Sequence, residues 1–138
     1  MQEASSRVME AGELVGYDTD LVGAYGLMVD ISRTWLVGDG TPSSHQQHIY
    51  DLALEQIHRN TDLLRPGTSF HDLTHKAWFP TMDSYDHYCV LFHGVGQCDE
   101  YPSIYFPEFW ESSGFDGHLE AGMVLTCLLY TSPSPRDA

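Results

Sequence analysis

The chain has 138 residues, 42% of them apolar and 19% charged, which fits one ordinary domain or a piece of one and is too apolar for a disordered chain. Six Lys and Arg stand against twenty Asp and Glu, a net charge of −14 with His neutral, so nucleic acid and anionic membrane are not expected partners. No apolar run approaches the roughly 20 residues that span a bilayer, and no basic end leading into an apolar core marks a signal peptide.

In chain order, Met1 to Glu13 is predicted as helix, with Val8, Ala11 and Gly12 on one side. Leu14 to Val22 reads as a strand, Gly23-Ala24-Tyr25-Gly26 as a turn and Leu27 to Val37 as a second strand, together a hairpin. The loop Gly38 to Ser43 offers Ser43 or Ser44 as a cap. From His45 to Leu64, the positions Ile49, Leu52, Ala53, Gln56, Ile57, Asn60 and Leu64 recur at helical spacing, mostly apolar. Arg65-Pro66-Gly67-Thr68 ends that helix, and a second is expected from Phe70 to about Phe79. Tyr88 to Phe92 is a short apolar strand entering His93-Gly94-Val95-Gly96. Gln97 to Gly117, with Pro102 and Pro107, reads as loop, and Gly122 to Leu129 as a last strand. From Tyr130 the pattern gives way to low complexity around Ser132-Pro133-Ser134-Pro135. The elements mix helix and antiparallel strand, an α+β class.

Three cysteines, Cys89, Cys98 and Cys127, are widely spaced and form no metal-binding Cys pair, so free thiols in a reducing, cytoplasmic setting are expected. Chemistry gathers elsewhere. Asp18 and Asp20 are two apart on a strand and point to one face. Asp30 lies between Val29 and Ile31 in the other arm, where a carboxylate must be paired, hydrogen-bonded or bound to metal. Converging carboxylates repel unless a cation holds them; equally, these are hairpin aspartates exposed to water, with Arg33 as partner. His93 closes a buried strand before two glycines, as a metal ligand or a structural histidine. Asp99 follows in the next loop, as a base or as one more acidic loop residue.

Taken in order, Asp18-Thr19-Asp20, Asp30-Ile31-Ser32-Arg33-Thr34-Trp35, Arg65-Pro66-Gly67, His93-Gly94-Val95-Gly96 and Leu119-Glu120-Ala121-Gly122-Met123-Val124 resemble the pita-bread metallohydrolases. That family includes methionine aminopeptidase, Xaa-Pro dipeptidase, aminopeptidase P and creatinase. The resemblance implies a partial pita-bread (creatinase/aminopeptidase-like) catalytic domain over residues 1–126, with a curved antiparallel sheet and covering helices. It implies two metal ions, iron favoured and manganese, cobalt or zinc possible. Asp20 (or Asp18), Asp30 and His93 match the first three metal ligands.

One departure separates this chain from the peptidases of the family. Gln97-Cys98-Asp99-Glu100-Tyr101-Pro102 carries Asp where they carry a second His. With Tyr88 just upstream, it is similar to the branch that cleaves dimethylsulfoniopropionate to dimethyl sulfide and acrylate. The resemblance assigns Asp99 and Tyr88 to catalysis, Asp99 as the base of a β-elimination, on a small-molecule substrate in a homodimeric enzyme. Alternatives are an Xaa-Pro peptidase, a creatinase-like amidinohydrolase, or a metal-free pseudoenzyme serving as a binding module. The family's first Glu ligand would fall where Cys127 and Leu128 stand, and its second further on. Residues 127–138 are therefore expected to be a non-native tail on an inactive fragment.

Overall fold

The computed structural model describes residues 6–80 and 87–128. Strands β1 (Leu14–Val22) and β2 (Met28–Leu36) pair antiparallel along their full length, from Leu14 opposite Leu36 to Val22 opposite Met28. Their alternating β-branched and aromatic residues favour the extended state. A 3-10 turn at Ala24–Gly26 joins them, and Gly26, at φ 76°, supplies the left-handed step that side chains resist.

The described part of the predicted first helix, residues 6–13, is instead extended chain and turn. Gly12 sits at φ 92°, and the Gly12 and Val37 amides extend the hairpin ladder by donating to Val37 O and Glu13 O, each at 2.9 Å. The Glu13 carboxylate draws in the Glu10 amide at 2.8 Å and the Arg7 guanidinium. Val8 stays 82% exposed, so no apolar face exists to hold a helix against the domain.

Helix α1 (Ser44–Thr61) starts with a reciprocal cap: Gln46 N donates to Ser43 Oγ at 3.2 Å and Ser43 N to Gln46 Oε1 at 2.8 Å. The Gln46 amide also donates to Gly12 O at 3.0 Å, tying the helix start to the hairpin base. Its most buried positions are two polar ones, Gln56 and Asn60. Asn60 donates to Trp78 O at 2.9 Å and accepts from Trp78 N at 2.7 Å. That claim on the Trp78 backbone stops the second helix, α2 (Phe70–Lys76), three residues short of the predicted end.

The core is Phe70, Leu73, Leu91, Phe92, Ile104, Phe106 and Leu119. At its centre runs β3 (Val90–Gly94), buried throughout, between β4 (Ser103–Tyr105) and β5 (Leu125–Cys127). The segment predicted as loop, Gln97 to Gly117, in fact supplies β4, a 3-10 turn at Pro107–Phe109 and the short helix α3 (Trp110–Ser113). Three- and four-residue elements show no period in sequence; burial of Ile104 and Phe106 holds them in place. At the other edge, Ala121 and Gly122, the latter at φ 96°, form a turn and residues 123–124 lie outside any strand, so β5 begins only at Leu125. Leu129 and the chain after it, including most of the expected tail, lie outside the described residues.

Among the described residues, the strands thus form two antiparallel sheets, as the mixed α+β pita-bread class predicts. One backbone pairing joins them: Met28, at the start of β2, donates to Gly96 O at 2.7 Å just beyond β3. No described helix is long and apolar enough to cross a membrane. Cys89, Cys98 and Cys127 are free thiols.

Candidate functional site

The hairpin register places Asp20 directly opposite Asp30. Cross-strand partners project to the same face, and Asp18, two residues from Asp20, shares it. Asp18 sits opposite Ser32, whose hydroxyl donates to its carboxylate at 2.5 Å. Arg33 donates to the Ser32 carbonyl at 2.6 Å rather than to an aspartate. Ser32, two residues past Asp30 on the same strand face, thus takes the partner role expected of Arg33.

The Met28–Gly96 pairing then sets β2 against the end of β3. His93, only 4% exposed, points Nε2 at Asp30 Oδ2, 3.1 Å away. Its Nδ1 faces the Gly94 carbonyl at 3.2 Å and Asp99 Oδ1 at 3.8 Å. The ring is therefore held between two carboxylates from different elements. Burial, and then the nearby Asp18 charge, push the Asp30 carboxyl above the ordinary carboxylate range; His93 opposes this and Asp20 adds to it.

Asp99 is positioned by a closely packed loop. Its Oδ1 accepts from Glu100 N at 3.0 Å, and Glu100 takes a left-handed φ of 61°. Gly94 lets that loop lie on β3: a Cβ there would stand 2.1 Å from Tyr101 O. Gly94 N donates to Pro102 O at 3.0 Å, sealing the contact.

The structure thus brings Asp18, Asp20, Asp30, His93 and Asp99 to one place, with the Asp18 charge acting on Asp30 more strongly than that of Asp20. Tyr88 stands apart. It is half-exposed, and its phenol is pushed up chiefly by the Glu100 charge and then by Cys89. Among the described residues, no hydrogen bond or ion pair joins Tyr88 to Asp30, His93 or Asp99. Of the aromatic rings near this loop, Phe106 is buried in the core and Tyr101 stacks on Phe115 at 5.9 Å.

As donors, Asp20, Asp30 and His93 fit a divalent or trivalent ion of borderline hardness. Asp30 is crowded by like charges that such an ion would neutralise. Among the described residues, no three His, Cys, Asp or Glu side chains form a ready ligand cage.

The model of metallopeptidase family M24 matches residues 1–134. The chain belongs to that family. Within M24 it is 38% identical over 125 residues to the dimethylsulfoniopropionate lyase DddP of Roseovarius nubinhibens, covering 90% of this chain and 28% of that protein. It is 38% identical over 127 residues to the DddP of Roseobacter denitrificans, with the same coverage of 90% and 28%. The chain therefore spans little more than a quarter of the length of these curated relatives. The fold is similar to that of a prolidase from Thermococcus sibiricus, at a TM-score of 0.69 and 22% identity over 95% of this chain and 35% of that one. The meeting of a hairpin aspartate with a histidine 63 positions later is a feature that spacing alone left open.

Proposed function

We propose that this chain forms part of the active site of a metal-dependent lyase that splits dimethylsulfoniopropionate into dimethyl sulfide and acrylate. The observation that carries the proposal is Asp99: a carboxylate, not a second imidazole, faces the buried His93 from the loop after β3. The likeness to two DddP lyases supports the choice of substrate.

Asp20 (with Asp18), Asp30 and His93 are the residues that would hold the metal, iron favoured and manganese, cobalt or zinc suitable in kind. Held by these residues, such an ion would supply Lewis-acid stabilisation of the charge that develops on the substrate carboxylate. Asp99 takes the proton from the carbon next to that carboxylate. The electron pair of the broken C–H bond becomes the new C=C bond, and the C–S bond breaks with its pair on sulfur. The products are acrylate and neutral dimethyl sulfide, with the proton on Asp99. Tyr88 is assigned by the family resemblance, not by a contact with Asp30, His93 or Asp99, to orient the substrate or assist proton transfer. The acidic surroundings favour a cationic sulfonium over an anionic ligand.

The test is an assay of the complete gene product for dimethyl sulfide release beside hydrolysis of an Xaa-Pro dipeptide. Elimination without peptide hydrolysis is expected. Asp99→Asn keeps size and hydrogen bonding but accepts no proton, and general bases contribute about 10² to 10⁴-fold. Turnover should fall by that order with metal content unchanged. Dipeptide hydrolysis without elimination, or near-normal elimination by Asp99→Asn, overturns the proposal.

A further inference from the structure

Two histidines outside the site described above stand side by side on α2. His71 and His75 are four residues apart, a spacing that stacks side chains on one helical face. Both are exposed. Their ring centroids are 4.3 Å apart with planes inclined at 52°. Trp110, at the start of α3, meets both rings near edge-on, 5.3 Å from His71 and 5.9 Å from His75. The indole walls one side of the pair and leaves the other open to water. The ammonium of Lys76, next along the helix, is engaged by Asp72 at 2.9 Å.

Imidazole nitrogens bind zinc-like ions at about 2.0–2.1 Å, which puts the centres of two neighbouring rings on one ion roughly 4.5–5 Å apart. The observed 4.3 Å lies just short of that range, a gap that a small turn of the two exposed side chains closes. Paired His at i and i+4 on a helix is also the arrangement by which helical metal motifs present two ligands to one ion.

We propose that His71 and His75 form a two-imidazole chelate for a divalent transition-metal ion of the nickel, copper or zinc type, with water completing its coordination. Imidazole donors favour these ions over calcium or magnesium, which need oxygen ligands. The net charge of −14 raises the local concentration of cations around the surface. The site lies on α2, on a different element from Asp30 on β2 and His93 on β3, and its occupancy does not depend on the proposed lyase activity.

The test is calorimetric titration of nickel into protein stripped with EDTA, beside quenching of tryptophan fluorescence by copper. Because nickel also has donors at Asp30 and His93, the titration is run in the His93→Asn variant as well. Binding that survives in His93→Asn and weakens at least about tenfold when His71→Asn or His75→Asn is added supports the chelate, since losing one ligand turns it into a single imidazole contact. His58→Asn, an exposed histidine on α1, should leave it unchanged. Circular dichroism of each variant checks that α2 remains folded. The proposal is overturned if His93→Asn abolishes all nickel binding, if the double variant His71→Asn/His75→Asn binds as tightly as the parent, or if nickel does not bind at millimolar concentration.

Discussion

Adding one methyl group at Gly94 should unseat the loop that carries Asp99. A Cβ at that position would lie 2.1 Å from Tyr101 O, 2.7 Å from Tyr101 C and 2.9 Å from Pro102 Cδ. These are backbone and ring atoms, with no flexible side-chain end to swing aside. Gly94 is itself buried inside β3, flanked by β4 and β5. Room can come only from lifting residues 101–102 off the strand, which breaks the bond from Gly94 N to Pro102 O at 3.0 Å and strains the adjacent His93–Ser103 pair. Overpacking costs about 1–3 kcal/mol, and a buried donor left unpaired about as much again, so Gly94→Ala should destabilise by about 2–6 kcal/mol. Domains of this size have about 5–15 kcal/mol in total, so the change is large. Urea denaturation followed by tryptophan fluorescence measures it. Gly40→Ala is the control, because a Cβ at Gly40 meets nothing within 4 Å. A Gly94→Ala midpoint as close to wild type as that of Gly40→Ala would refute the idea that this loop is seated on β3.

Asn60→Ala removes both hydrogen bonds to the Trp78 backbone from a fully buried position and should cost about 2–4 kcal/mol, read as a lower urea midpoint. Asp30→Asn should raise the melting temperature of EDTA-treated protein at pH 7, because burial and the Asp18 charge disfavour the ionised carboxylate in the fold. A carboxyl whose folded pKa is raised withholds stability above that pKa and restores it as pH falls towards its ordinary 3.8, so the gain over wild type should shrink on acidification. A gain that grows as pH falls would contradict the argument. Burial pushes the Cys127 thiol up to about 12, so alkylation of the folded protein at pH 8 should label exposed Cys98 and leave Cys127 untouched; mass spectrometry of the digest distinguishes them.

The hairpin was legible because nine-residue strands repeat a period-two pattern often enough to be read, and because Gly23 to Gly26 marks the turn between them. That register also put Asp20 opposite Asp30. Helix α1 announced itself by Ser43 and its apolar stripe, although Gln56 and Asn60, the two polar members of the stripe, proved the most buried. Nothing local in the sequence tells Asn60 that Trp78 will need its amide. Strand β4 and helix α3 were missed for want of length. The approach of His93 to Asp30 is a tertiary event that no periodicity encodes; only the ordered resemblance to a family pointed to it. Residues 6–12 read as helix in the sequence, but the Gly12 conformation and the pull of Val37 decided otherwise.

The single backbone pairing between Met28 and Gly96 governs when the site comes into being. The Asp30–His93 contact closes a stretch of 63 positions, and the entropy of closing a loop must be met before a distant contact can reward it. The hairpin and the three-stranded sheet each close over shorter spans and can form first. The Asp30–His93 contact then appears only when the two dock, and it opens whenever they part, even while each half keeps its own hydrogen bonds. Amide exchange at Met28 should accordingly be faster than at Leu91 or Phe92 in the middle of β3, and it times the assembly of the site separately from the folding of the chain.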